Sequence, residues 1–445
     1  MNYIKLMDNF LDDVKEDYPY INSSYIREVC SKIIPIIYVN KDADEYEIID
    51  RIIQDDLDYV NEIFSKNIVP GYTIGINEGN INIKYFGGKI DSNNLMTENT
   101  LFDIASMSKM YTQVILYNLI KDGYFDLDDN IYDLDNRFVN LKDVTVRELM
   151  SFSIDLFTPG NMTLMENVDD AKEALFNIGV KSRGKYVYSD FGLMIMKEVA
   201  EKVTGKTYKE LLKELGLKET VVDELDKYTI TGSANQDKLA VNDPKAISVG
   251  GYSGHAGIFA SSDGIIDFYK KTQDGILLDK EGLSWATEAN ELVDNRGKLF
   301  GNTFVIVKEG LKNSFVDNLS PRGSYATQGS TRTQGVATPT GASTVLTNPA
   351  SISLEEAIEF ENRFNEKLIK QGKNPQTFVK NLKFNRDGIE EIYHMIDARR
   401  MIDLDNITHM NAITSLRLRF LNNYFKVMDS NREIDIVKNM NRRTK

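Results

Sequence analysis

Along this chain the spacing of apolar positions changes period several times, and each change marks an element. In VPGYTIGINEGNINIKYFGG (Val69 to Gly88), Tyr72, Ile74 and Ile76 alternate with other residues, and so do Ile81, Ile83 and Tyr85. The break at Glu78-Gly79-Asn80 carries turn chemistry, so the segment predicts a β-hairpin. TLFDIASMSKMYTQVILYNLIKDG (Thr100 to Gly123) instead predicts one helix, stopped by Gly123. Its Met110, Val114, Ile115, Leu116, Leu119 and Ile120 leave no solvent face, the pattern of a buried helix. The stretch from about 125 to 300 reads as helices and loops, including SDFGLMIMKEVAEKVTG (Ser189 to Gly205), with a cap signal in front and a glycine behind. Strand character returns between Asn302 and Pro349 in NTFVIVKEG, GSYATQG and GASTVLTNP. Beyond about residue 350 the pattern predicts helix to the end, most clearly in SLEEAIEFENRFNEKLIKQG.

Strands early, helices in the middle and strands late imply one sheet assembled from both ends of the chain around an insertion. The expected architecture is α/β (α+β): an antiparallel sheet flanked by helices, with an inserted all-helical domain. The sheet domain is discontinuous, 51–124 and 301–372, and the insertion is 125–300. Helical extensions are expected at 1–50 and 373–445, and Leu57 to Asn67 reads as a further helix. These extensions are candidates to cover the sheet, lid the cleft or form a homodimer interface.

Composition narrows the chemistry. The chain has 445 residues, a formal net charge of -14, one cysteine (Cys30) and three histidines (His255, His394, His409). An acidic surface argues against nucleic acid or anionic membrane as a partner. One cysteine permits no internal disulfide. The acidic start, MNYIKLMDNFLDDVKEDYPYI, does not read as a signal peptide, and no window approaches a membrane span, so a cytoplasmic location is expected. No HExxH, Cys/His cluster or P-loop occurs, and DLDDNIYDLDN has Ile131 where a calcium loop needs glycine. Neither metal nor cofactor is expected.

Chemistry enters at Ser106 and Lys109. Ser-x-x-Lys is a weak motif by itself, and it also occurs as SRGK at Ser182 to Lys185, in a turn-like stretch. At Ser106 it opens a buried helix, where residues i and i+3 share a face and the two side chains can meet. A serine hydroxyl needs an adjacent base, and a helix N-terminus favours negative charge on its oxygen. Burial would lower the lysine pKa toward a usable base. The competing reading is a capping serine with a lysine reaching to water.

Further motifs follow in order. With LFDIASMSKM, YVYSDFGLMIMKEVAEKVTG, GGYSGHAGIFASSDGIIDFY and SYATQGSTRTQG…STVLTNP, the chain from about Asp55 to about Gln371 resembles the serine β-lactamase and penicillin-binding-protein superfamily. Within it, the class C-like branch with its esterases and D-aminopeptidases is most similar. The resemblance implies that Tyr188, in Tyr188-Ser189-Asp190, shares the base role with Lys109. Asp190 stands where the motif has Asn. A carboxylate there would hold Lys109 charged and move the base role toward Tyr188, unless Asp190 is merely a helix N-cap. His255-Ala256-Gly257 fits the third motif, normally Lys-Thr-Gly or His-x-Gly, by residue type, but the resemblance implies a position more than a hundred residues after the second motif, at Thr327-Gln328-Gly329. Gly329 would let the strand pass close to the acyl group, and backbone N–H groups of Ser106 and Ser330 would form the oxyanion hole. Thr327 supplies no cation. Arg332 is the nearest, either gripping a substrate carboxylate or merely solvated. His255 either lines the cleft or is structural.

The implied function is a serine hydrolase working through an acyl-enzyme on an ester, a D-amino-acid amide or peptide, or a β-lactam. Its partner would be a small molecule or short peptide. The rival is a weak or inactive hydrolase-fold module that binds a ligand or protein partner.

Overall fold

A computed structural model describes residues 71–79, 81–90, 94–165, 167–218, 220–221, 241–288, 301–306, 323–331, 333–347, 354–370, 372–377, 379–386, 389–396 and 434–439. The expected helices within 1–67 lie outside these residues, as does Arg332.

The main sheet has seven strands: β1 (Gly71–Glu78), β2 (Ile81–Gly88), β3 (Val305–Ile306), β4 (Tyr325–Gln328), β5 (Gln334–Thr338), β6 (Gly341–Thr347) and β7 (Ile434–Asn439). Their order is β7-β2-β1-β6-β5-β4-β3. The predicted hairpin is present, with Glu78 opposite Ile81 and Gly79 at φ 55° in the turn. Strand β1 then pairs antiparallel with β6, Tyr72 opposite Thr347, which joins the early and late pieces of chain into one sheet.

The single helix expected over Thr100 to Gly123 is shorter: Phe102–Asp103 pairs as a strand with Phe259–Ala260, Ala105–Met107 is a 3-10 turn, and helix α1 (Ser108–Lys121) follows, buried along its whole first half as its apolar pattern requires. It packs against α2 (Phe191–Thr204), which ends at Gly205 in the left-handed conformation. Helix α3 (Tyr208–Glu214) opens on a reciprocal Thr207–Glu210 capping box. Helix α4 (Ser262–Gln273) covers one face of the sheet. Gly75 and Gly335 make the close approach possible, since a Cβ at either would run into Ser262, Ile266 or Tyr269. Tyr269 clasps helix to sheet by donating to Gly335 O at 3.0 Å. One continuous core runs from Phe86 to Leu346, with Tyr111, Tyr208, Phe268, Tyr269 and Phe304 fully buried.

The sheet flanked by helices is as expected, but two further details differ. The insertion is not all helical: Ile154–Phe157 pairs with Gly179–Arg183, and Phe259–Ala260 lies between Phe102–Asp103 and Thr220–Val221. Beyond α5 (Leu354–Lys370) the described elements are strands, after an irregular stretch at 372–377, so the expected helical extension over 373–445 is corrected there. Val379–Arg386 and Ile389–Ile396 form a hairpin with Arg386 opposite Ile389, and β7 adds in parallel to the edge of β2. The physical reason is local. Leu382 and Phe384, and again Ile434 and Ile436, alternate with polar residues, and Asp387-Gly388 is hairpin-turn chemistry.

Candidate active site

Ser106 lies in a 3-10 turn (Ala105–Met107) that feeds directly into α1. Ala105 has φ 45°, a conformation that costs an alanine about 1 kcal/mol or more. It persists because the turn is held from several sides. The Ala105 N–H donates to Asp103 Oδ1 at 2.8 Å, and the Ile104 N–H to Ile258 O at 3.2 Å. Thr331 and Thr333 donate their hydroxyls to the carbonyls of Asp103 and Ile104, at 2.7 and 3.3 Å. Asp103 is buried and also accepts from the Asn242 N–H at 2.6 Å, tying the turn to the segment that begins there. Burial pushes its pKa up to about 6. Its two backbone donors pull the other way, and Asp243 adds to the rise.

Lys109 Nζ donates to Ser106 Oγ at 2.9 Å and to Asp190 Oδ1 at 2.8 Å. The ammonium sits 4.7 Å from the centroid of the Tyr188 ring and within reach of its hydroxyl. Tyr188 is 43% exposed, and its ring stacks on Phe152 at 5.5 Å and 17°. Phe152 has φ 57°, and its carbonyl accepts from the Val187 N–H, so a second left-handed residue aims the tyrosine. The three groups the sequence singles out therefore converge.

The protonation state departs from the lowered lysine pKa expected from burial. Burial does pull the Lys109 pKa down, but the Asp190 carboxylate and the Tyr188 oxygen outweigh it and hold the group protonated. Asp190 in turn lies well below the usual carboxylate range. Burial opposes this, and Lys109, His255 and Lys245 together prevail. Asp190 does not cap α2 with its side chain; the Phe191 N–H donates instead to Ser189 Oγ. Its second oxygen, Oδ2, accepts from Lys245 Nζ at 2.7 Å.

His255 is fully buried, between Ser253 Oγ at 2.8 Å and Asp243 Oδ1 at 3.0 Å. It supports Asp243, which also accepts from the N–H groups of Lys245 and Ala246 and so caps the helix carrying Lys245. Asp190, Asp243 and His255 offer three ligand atoms within 4.8 Å of one another. Their pairing is already taken up within the protein: the Asp190 oxygens accept from Lys109 and Lys245, and Asp243 Oδ1 accepts from two backbone N–H groups and pairs with His255 Nε2.

On the sheet side, Thr327 is buried, sharing a hydrogen bond with the Tyr269 hydroxyl at 2.7 Å and lying 3.2 Å from Met110 Sδ. Gln328 and Ser330 are half-buried, and Gln328 Oε1 has no hydrogen-bond partner among the described residues. A Cβ on Gly329 would collide with Ile104 O and Thr333 Oγ1, so glycine is what brings β4 against the nucleophile turn. The competing tetrad, Ser182 to Lys185, is exposed. Sequence reasoning missed Asp103, Phe152, Asp243, Lys245, Thr331 and Thr333. Only Asp243-Pro244, a helix-start signal, marks any of them locally.

A serine at the entrance of a buried helix, a lysine one turn on and a tyrosine over it lie between an antiparallel sheet and a mainly helical insertion, in a β-lactamase-like fold. The Beta-lactamase family model matches residues 49–347, and the chain belongs to that family. A teichoic acid D-alanine hydrolase of Staphylococcus aureus is 28% identical over 116 residues, which are 26% of this chain and 29% of that protein's length. Among solved structures, EstCE1, a hydrolase with promiscuous acyltransferase activity, matches with a TM-score of 0.55 at 15% identity, over 69% of this chain and 96% of its own. The octameric penicillin-binding protein homologue from Pyrococcus abyssi gives 0.53 at 15% identity, over 77% and 90%. The class C β-lactamase from Rhodobacter sphaeroides gives 0.52 at 15%, over 66% and 93%. Among the described residues no helix is long and apolar enough to cross a membrane.

Proposed function

We propose that the protein is a serine hydrolase that forms an acyl-enzyme on Ser106. The observation that carries this reading is the 2.9 Å contact between Ser106 Oγ and a Lys109 fixed by Asp190 beneath Tyr188. With Lys109 already protonated, Tyr188 is the proton acceptor. Its phenolate, stabilised by the ammonium, takes the hydroxyl proton as Oγ bonds to the substrate carbonyl carbon. The tetrahedral intermediate collapses, the bond to the leaving group breaks, and Tyr188 returns the proton to that group. Water then hydrolyses the ester on Ser106 by the same route. Backbone N–H groups of Ser106 and Ser330 serve the oxyanion, each worth about 3 kcal/mol. The tight packing of Gly329 on Ile104 supports their proximity.

The substrate is an ester, a D-amino-acid amide or peptide, or a β-lactam. Similarity to a teichoic acid D-alanine hydrolase favours D-alanyl esters among these. A fluorophosphonate should add once to the intact protein, and Ser106→Ala should abolish both the adduct and p-nitrophenyl ester turnover. A Ser106→Ala protein turning over ester at the parent rate defeats the assignment.

The second reading, a binding module with weak or no turnover, is favoured by Thr327, which is committed to Tyr269 and Met110 and offers no cation to a substrate. Under that reading, p-nitrophenyl esters, D-alanyl esters and nitrocefin bind but are not turned over.

A further inference from the structure

Lys245 belongs to none of the three motifs, and its chemistry follows from Asp190. A carboxylate beside Lys109 forms an ion pair with no net charge, leaving Tyr188 and Ser106 next to a neutral group. A tyrosine accepts a proton near neutral pH only where positive charge stabilises its phenolate. We propose that Lys245 is a positioning residue that compensates Asp190, keeping the positive charge of Lys109 available to Tyr188 and Ser106. The proposal rests on the acyl-enzyme reading above.

The geometry divides Asp190 between two cations. Oδ1 takes Lys109 at 2.8 Å and Oδ2 takes Lys245 at 2.7 Å. Lys245 is held at its backbone, where its N–H donates to Asp243 Oδ1 at 2.9 Å at the start of the helical turn Pro244–Ser248. Its Nζ lies 5.6 Å from the centroid of the Phe191 ring at the head of α2. The charged and titratable groups facing the pair are Lys109 from α1, Tyr188 from the loop before α2, and Asp243 and His255 from behind. Asp243 is occupied by His255 Nε2 and two backbone N–H groups. Burial lowers the Lys245 pKa, but Asp190 more than offsets it and keeps the amine charged. Lys109, Asp190 and Lys245 together therefore carry one net positive charge. Lys245→Met leaves none, and Asp190→Asn with Lys245→Met restores one.

That arithmetic supplies the test. The rate of Ser106 labelling by a fluorophosphonate, and kcat/KM for a p-nitrophenyl ester, are measured against pH in the full chain and in Lys245→Met, Lys245→Arg and the Asp190→Asn/Lys245→Met double variant. In Lys245→Met the acid limb of both profiles should move up by about one pH unit, a roughly tenfold loss on that limb. Lys245→Arg should keep the parent limb. The double variant should recover most of the loss, a reciprocal rescue that a merely structural lysine would not give. Coincident limbs in the parent and Lys245→Met overturn the proposal, as does a double variant no faster than Lys245→Met. Should Lys245→Met melt early, Lys245→Arg and the double variant carry the comparison: an Arg variant whose limb moves up, or a double variant slow despite a parent-like melt, also overturns it. A parent protein unlabelled at Ser106 overturns instead the acyl-enzyme reading on which the proposal stands.

Discussion

Asp103 shows how one side chain links the nucleophile turn to the second-lysine segment. It is buried, yet its two oxygens accept from Ala105 on one side and Asn242 on the other. With its pKa raised from 3.8 to about 6, the folded protein binds this proton more tightly than the unfolded chain. Its contribution to stability is therefore fully present below about pH 4 and is lost as pH rises through about 6, on the order of 3 kcal/mol from this group. Asp190 and Asp243, both held low, act the other way. Their stabilisation is present above about pH 4 and is lost as pH falls through their lower folded values. Urea unfolding at pH 4.5 and pH 7 should show the parent losing more stability across that interval than Asp103→Asn, which carries no charge there. Tyr188→Phe is the corresponding test of the chemistry. It should lower kcat by about 10²-fold or more with KM little changed, because it removes the proton acceptor and leaves the stacking on Phe152.

At the scale of elements, β4 and α1 meet through a glycine. Gly329→Val should drive β4 away from Ile104, costing about 1–3 kcal/mol and slowing fluorophosphonate labelling; a thermal melt and a labelling time course check both. What was legible in the sequence divides along the same lines. The hairpin at 71–88 and the helix at Leu354–Lys370 are local periodicities and appear as their patterns predict, whereas the helix expected from Thr100 begins only at Ser108, because Phe102–Asp103 is taken up in strand pairing with Phe259–Ala260. The meeting of Ser106 and Lys109 was legible from their spacing, since residues i and i+3 also share a face across the 3-10 turn that carries Ser106 into α1. The Asp190–Lys245 pair spans 55 positions and left no local mark. The charge on Lys109 was legible only as a condition on where the Asp190 carboxylate pointed. The strands beyond 378 were missed because long charged tracts around short apolar alternations read more readily as helix than as strand.

For the whole molecule, the sheet is closed by its least local pieces. Strand β7 covers the outer edge of β2. Ending the chain at residue 430 should expose a paired-up hairpin with a free edge, and edges of that kind recruit other chains. Size-exclusion chromatography should then show larger species than for the full chain. The central seam is more telling: β1 finds its second neighbour only at β6, Tyr72 against Thr347. On a ribosome adding about 5–20 residues per second, the first hairpin waits on the order of tens of seconds for the strand that completes its surroundings. A nascent chain stalled before residue 341 should therefore be protease-sensitive throughout, and its exposed apolar face is where a holdase would bind during synthesis.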